Sequence, residues 1–364
     1  MTKKILWPPH HMTSATHSTL PLFQAYPNLA DLLSPQSFAD IPTPAQALTE
    51  LGDNTWIKRD DLTHKEYGGN KIRKLDFVLS DIRRKQKKHV ITFGATGTNA
   101  GVATAIMCHR NNLKCTVYLF DQPVTDTVKK NLELMRRYGA ELIYKGSLLK
   151  TVLAYYLSPY RLHQDSYFLW AGCSNDVATF AYVNAAYELK QQIDNGDLPE
   201  PENIFVPVGS CSTLAGLTLG VKMAGLNSKV IGIRVARAYL GPFPACTAGE
   251  VNKVIGKAYN WLKQNAVPLN FDKPECIFSD DYFGEGYGCA TEQSQQAINQ
   301  FSQAGIQLEN TYSAKAAAAF LAQAATSNKP QLFWNTFNSR DTLANAPMSE
   351  RELPQKVKLA IKAS

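Results

Sequence analysis

The stretch Lys58-Arg59-Asp60-Asp61-Leu62, followed by Gly68-Gly69-Asn70-Lys71-Ile72-Arg73-Lys74-Leu75, decides the reading of this chain. Two adjacent glycines let the backbone approach a ligand closely. Asn70 is expected to cap a helix, which places Lys71 in its first turn. The positive end of a helix dipole disfavours a cation there. The same field lowers the amine pKa, which suits a lysine that attacks a carbonyl to form a Schiff base. Lys74 lies three residues on, on the same helix face. The motif alone leaves a second reading open, two surface lysines on a capped helix.

Outward from this point the chain alternates short β-rich runs with amphipathic helical runs. Strands are expected at 90–93, 115–120, 141–144, 204–208, 230–235 and 331–334, whose β-branched and aromatic residues fit buried parallel strands. Helices are expected from Leu75, Leu79 and Ile82, from Val128, Leu132 and Met135, and over 100–111, 178–192, 213–224, 250–265, 290–304 and 313–325. The alternation predicts a mostly parallel, doubly wound α/β fold. Leu198-Pro199-Glu200-Pro201 is the best linker candidate. The first 45 or so residues, rich in Pro, Ser, Thr and His, are expected to wrap over the surface.

Two loops between a strand and a helix carry further chemistry. Gly94-Ala95-Thr96-Gly97-Thr98-Asn99-Ala100-Gly101 can hold an anion or carboxylate on backbone N–H groups at a helix start. It does not match G-x-G-x-x-G, and no acidic residue follows at the ribose-binding offset, which weakens a nicotinamide oxidoreductase reading. Gly209-Ser210-Cys211-Ser212-Thr213-Leu214-Ala215-Gly216 combines hydroxyls, a thiol and free N–H groups into a phosphate cradle. It lacks the Gly-Lys-Ser/Thr of a P-loop. Tyr287, in Gly284-Glu285-Gly286-Tyr287-Gly288, and Tyr312, in Thr311-Tyr312-Ser313-Ala314-Lys315, offer phenols for proton transfer.

Composition narrows the class. The 364 residues are 45% hydrophobic and 19% charged, which excludes a disordered chain and fits two domains or one large one. The net charge is +7. Its clearest cluster, Arg83, Arg84, Lys85, Lys87 and Lys88, reads as a solvated helix end; no nucleic-acid motif accompanies it. Seven scattered cysteines without Cys-x-x-Cys suggest free thiols in a reducing compartment. The apolar run Ile5-Leu6-Trp7 is too short for a signal peptide, and no run approaches a membrane span. A cytoplasmic protein without membrane or nucleic-acid partners is expected. The lack of His-Glu-x-x-His predicts no metal site.

Together these motifs resemble the pyridoxal-phosphate enzymes of the D-cysteine desulfhydrase and 1-aminocyclopropane-1-carboxylate deaminase family, over roughly residues 20–337. The resemblance implies a two-domain, tryptophan-synthase-β-like α/β fold. Residues 1–74 and 191–364 would form the large domain and 75–190 a smaller inserted one, with pyridoxal 5'-phosphate between them. It further implies Lys71 as the Schiff-base lysine, Lys74 with Ser210, Cys211, Ser212 and Thr213 at the phosphate, and Asn99 at the ring hydroxyl. Thr98 falls beside the substrate, and Tyr287 and Tyr312 on two active-site tyrosines. Ser313 falls on the residue facing the pyridine nitrogen. A homodimer acting on a small amino acid is implied as well.

The cyclopropane deaminases carry a glutamate at the Ser313 position, so the neutral residue points towards a desulfhydrase. The implied reaction is a β-elimination: D-cysteine loses its Cα proton and hydrosulfide, and hydrolysis yields pyruvate and ammonia. Lys71 would carry the proton, assisted by Thr98 and Tyr312. A cyclopropane deaminase activity is the alternative. This chain departs from the family pattern in three places. Gly97-Thr98-Asn99-Ala100 replaces Gln-Ser-Asn-His/Gln, Cys211-Ser212 replaces Gly-Gly, and Asn335-Thr336-Phe337-Asn338 replaces His-x-Gly-Gly. These departures motivate a further alternative, a cofactor-binding protein without catalysis.

Overall fold

A computed structural model describes residues 20–36, 38–344, 346–347, 352–355 and 357–358. The run Ile5-Leu6-Trp7 lies outside them. In chain order the elements begin with α1 (Pro21–Ala25), α2 (Asn28–Leu33), β1 (Ala45–Ala47), β2 (Thr55–Lys58) and α3 (Asn70–Arg84). There follow β3 (His89–Ala95), α4 (Asn99–Arg110), β4 (Lys114–Phe120), α5 (Asp126–Arg137), β5 (Glu141–Gly146), α6 (Leu148–Tyr156), β6 (Ser166–Phe168) and α7 (Asp176–Asp194). Next come β7 (Asn203–Val208), α8 (Ser212–Met223), β8 (Lys229–Arg234), the short strands β9 (Tyr239–Leu240) and β10 (Phe243–Pro244), and α9 (Ala248–Gln264). The last elements are β11 (Ile277–Ser279), α10 (Glu292–Gln303), α11 (Ser313–Ala324) and β12 (Gln331–Trp334).

Local chemistry starts many of these helices. The side chains of Thr98, Thr125, Ser147, Asn175, Thr247 and Thr291 each accept a first-turn backbone N–H. Each such cap is worth ~1 kcal/mol.

The strands form two main sheets. The first has the order β1-β2-β12-β7-β8-β11 and is parallel apart from the β1–β2 pair; the second, β5-β4-β3-β6, is parallel throughout. The α/β fold with mostly parallel strands therefore holds. The second sheet draws all its strands from 89–168, whereas the first takes strands from both sides of that stretch. Residues 74/75 and 190/191 fall inside α3 and α7, two helices that pack against each other. β12 lies fully buried in the first sheet.

The structure corrects several local expectations. Gly69, at φ 101°, is the N-cap of α3, and Asn70 is its first helical residue. The glycine accepts a backbone angle that the asparagine is spared. Residues 20–33 do not merely wrap the surface: Leu22, Phe23, Leu29 and Leu33 are buried in the main core. The Leu198–Pro201 segment is a fixed connection, with Leu198 buried and the Pro201 carbonyl accepting the Ser228 hydroxyl at 2.6 Å. Among the described residues no helix is long and apolar enough to cross a membrane, and no cluster of candidate metal ligands occurs. The seven cysteines are free thiols.

Candidate active site

A buried ion cluster sets the position of α3. Lys58, at the end of β2, donates to Glu188 Oε1 at 2.5 Å. Arg73 Nη1 and Nη2 donate to the two oxygens of Glu188, each at 2.8 Å, and Nη2 also to Asp60 Oδ1 at 2.7 Å. Trp334 Nε1 and the Tyr182 hydroxyl donate to Asp60 Oδ2, both at 2.7 Å. Two cations meet two carboxylates, so the buried cluster is neutral overall. It ties β2, α3, α7 and β12 together through groups that tolerate little displacement. Gly68 completes the turn, because a Cβ there would stand 1.8 Å from the Asp61 carbonyl oxygen.

The turn delivers Lys71 into a cleft of about 1230 Å³ between the two sheets. Its Nζ donates to Asn70 Oδ1 at 2.6 Å and stands 6.0 Å from the Tyr312 ring centroid. Burial lowers its pKa, which favours the nucleophilic neutral amine. Thr98, Asn99, Ser210, Cys211, Thr213, Tyr287 and Tyr312 line the same cleft. Lys74, Ser212 and Ser313 are fully or almost fully buried and do not line it.

Lys74 is the most telling of these three. Its Nζ makes one long contact, 3.5 Å to the Gly172 carbonyl. Burial, then the nearby Lys71 charge, pushes its pKa well below the ordinary value. A buried amine with so little compensation keeps its proton only beside an anion. The Ser210 loop is its neighbour: a Cβ on Gly172 would be 2.4 Å from Ser210 Oγ. Ser174 links this loop, donating to Ser210 Oγ at 2.7 Å and sharing a 2.9 Å hydrogen bond with Ser212 Oγ. Thr213 Oγ1 accepts from Asn70 Nδ2 at 3.2 Å, joining the loop to α3.

Cys211, at φ 66°, caps α8 where the sequence reading notes glycine in relatives. A hydrogen bond to Cys246, together with burial, pushes its thiol pKa up. It is a neutral packing group, not a reactive thiolate. The free N–H groups of α8, the Ser210 and Thr213 hydroxyls and Lys74 together fit a phosphate group.

The other walls are polar and ordered. Thr98 Oγ1 accepts the Gly101 N–H at 3.1 Å, leaving its own proton to donate. Asn99 Oδ1 accepts from Asn131 Nδ2 at 2.8 Å and from the Tyr67 hydroxyl at 3.2 Å. The Tyr287 and Tyr312 hydroxyls hydrogen-bond each other. Burial pushes Tyr287 up to about 12 and Tyr312 well above its ordinary value. Ser313 accepts the Glu309 N–H at 2.9 Å and donates to Glu309 Oε1 at 3.2 Å. It is Glu309 and not Ser313 that reaches the cleft. Sequence reasoning missed Tyr67, Asn131, Ser174 and Glu309. Tyr67 directly precedes the Gly68-Gly69 turn, whereas the other three sit in no motif and reach the site only through the fold.

Residues 37–333 match the family profile described as pyridoxal-phosphate-dependent enzyme. The chain belongs to this family. It is therefore a pyridoxal-phosphate-dependent enzyme. Its curated relatives include a D-cysteine desulfhydrase of Klebsiella pneumoniae, 30% identical over 293 residues, covering 77% of this chain and 85% of the relative. A putative 1-aminocyclopropane-1-carboxylate deaminase of Thermotoga maritima is 29% identical over 307 residues, covering 81% and 93%. Among solved structures, an ACC deaminase homologue superposes with a TM-score of 0.71 at 26% identity, over 88% of this chain and 99% of that one. The processed threonine deaminase isoform 2 of Solanum lycopersicum shares the fold, with a TM-score of 0.58 at 19% identity over 93% and 94%.

Proposed function

We propose that this enzyme is a lyase that eliminates a β-substituent from a small amino acid, with D-cysteine desulfhydrase chemistry. D-Cysteine and water would give pyruvate, hydrogen sulfide and ammonia. The observation that carries the proposal is the pairing of Lys71, an amine of lowered pKa, with Lys74, a buried cation beside the Ser210–Thr213 loop. Lys74, the loop hydroxyls and the α8 N-terminus would hold the cofactor phosphate, and Asn99 the ring hydroxyl. When bound, pyridoxal phosphate supplies the electron sink for charge left at Cα. Lys71 Nζ, as the neutral amine, accepts the Cα proton. Thr98, with the N–H groups opening α4, holds the substrate carboxylate. The Tyr287–Tyr312 pair, neutral at all ordinary pH values, supplies a proton to the departing sulfur.

A second reading, opening of a cyclopropane amino acid, has one specific observation in its favour. Glu309 Oε1 accepts the N–H groups of Tyr312 and Ser313, each at 2.8 Å, and the residue lines the cleft. A carboxylate thus stands beside the position where the sequence reading found only a serine. We further propose two domains, 1–74 with 191–364 and 75–190, and a cytoplasmic homodimer. A panel of D- and L-amino acids, scored for keto acid, sulfide and ammonia, tests the assignment. Pyruvate and sulfide from D-cysteine support it. Release of 2-oxobutanoate from the cyclopropane amino acid alone supports the second reading.

A further inference from the structure

The outer half of the cleft is apolar on both sides. Among the described residues nine large hydrophobic side chains are exposed, and five of them line this one cleft: Leu149, Leu153, Tyr156, Tyr239 and Phe243. Leu149, Leu153 and Tyr156 recur at i, i+4, i+7, which makes one stripe along α6. α6 packs on the four-stranded sheet, whereas the β9–β10 hairpin carrying Tyr239 and Phe243 follows β8 of the six-stranded one. Every α6 residue lining the cleft is apolar or aromatic. Further aromatic rings line the cleft beside this wall, Trp170 packing edge-on against Phe93 at 4.8 Å and reaching Tyr156 at 6.0 Å.

Leu149 is 76% exposed and Phe243 71%. Concentrating such side chains at one opening leaves apolar surface in water unless something covers it. A three-carbon amino acid seated beside Lys71 would leave most of this wall uncovered. The cleft, at about 1230 Å³, has room for much more.

We propose that the same elimination extends beyond D-cysteine to amino acids carrying a large apolar β-substituent, seated between the α6 stripe and the β9–β10 hairpin. This rests on the reading that an amino acid binds over Lys71, and it names the substrate class. Leu149, Leu153, Tyr156, Tyr239 and Phe243 are then specificity-determining residues. An S-benzyl cysteine is the type of compound meant: with water it gives pyruvate, ammonia and phenylmethanethiol, the Cβ–S bond breaking and the sulfur taking a proton.

The test is equilibrium binding to the holoenzyme by calorimetry, with two amino acids that lack a leaving group. Both enantiomers of alanine and of 2-amino-4-phenylbutanoate serve as probes. The proposal predicts that the phenyl compound binds at least about tenfold more tightly, the scale of burying an aromatic ring. Leu149→Gln combined with Leu153→Gln should erase most of that preference. These side chains are exposed, so their exchange leaves the core intact. Equal binding of the two probes overturns this inference and leaves the lyase reading standing. So does a double variant that keeps the preference but changes the sedimentation mass, which would assign the stripe to a second copy of the chain. Binding of neither probe to protein carrying its cofactor overturns the amino-acid reading itself.

Discussion

Glu188→Gln is the perturbation that most directly probes how the fold holds Lys71. Glu188 is 2% exposed and accepts from Lys58, from both terminal nitrogens of Arg73 and from the Thr43 N–H at 2.9 Å. The wild-type cluster pairs Lys58 and Arg73 with Asp60 and Glu188. The substitution removes one negative charge and leaves a net positive charge buried, with an amide NH2 turned towards cations. Arg73 keeps Asp60, and Lys58 keeps the Thr43 carbonyl and Gln192 Oε1, each at 2.6 Å. The unpaired charge should therefore cost about 3–5 kcal/mol, the range for breaking one partner of a buried pair. Urea titration of the cofactor-free protein measures it. Lys58→Met combined with Glu188→Leu restores neutrality and should lose at least about 2 kcal/mol less than the sum of the two single changes. A loss below about 1 kcal/mol for Glu188→Gln, or strict additivity in the double variant, would refute the charge accounting.

Three further outcomes follow from the site. Lys74→Met should leave the cofactor-free protein at least as stable, since it removes a poorly paired buried amine, yet weaken pyridoxal phosphate binding about 10–100-fold; a urea titration reads the first and a fluorescence titration with the cofactor the second. Tyr287→Phe should lower kcat by about 10²–10⁴-fold with cofactor affinity unchanged, as expected for a lost proton donor. Because burial holds Tyr287 up to about 12, the wild-type rate should show no tyrosine ionisation between about pH 8 and 10. Burial opposes ionisation of Glu188, but the Arg73 and Lys58 charges outweigh it and hold the carboxyl at about 2, below the ordinary 4.5. Its stabilising contribution is complete above the ordinary value and disappears as pH falls through about 2. Acid melts of wild type and Glu188→Gln should therefore converge in that window.

The βα alternation was legible because each inner strand is a short β-branched run followed by an amphipathic helix. The expected strands over 90–93, 204–208 and 331–334 lie within or coincide with β3, β7 and β12. β1, β6 and β11 were not legible, because three residues carry no period. α6 escaped notice for a different reason. Its apolar residues fall on two faces, Tyr155 turning inward beside Thr151 and Leu149, Leu153 and Tyr156 outward, so polar and apolar positions do not separate into a buried and a solvent face. α1 and α2 were hidden by a proline-rich composition, although Pro21 suits the first turn of a helix. At the site, loops rich in small residues after strands pointed to Lys71, Ser210 and Thr213. Glu309 could not be read, because its place beside Ser313 depends on how the backbone turns into α11.

The central claim is that Lys71 bonds the cofactor while Lys74 neutralises its phosphate. Borohydride reduction of the purified holoenzyme followed by peptide mass mapping tests it most directly. The account predicts the phosphopyridoxyl group on Lys71, none on Lys74, and loss of the visible band near ~420 nm in Lys71→Ala. Label on Lys74 or on any other lysine, or an unchanged band in Lys71→Ala, would contradict it.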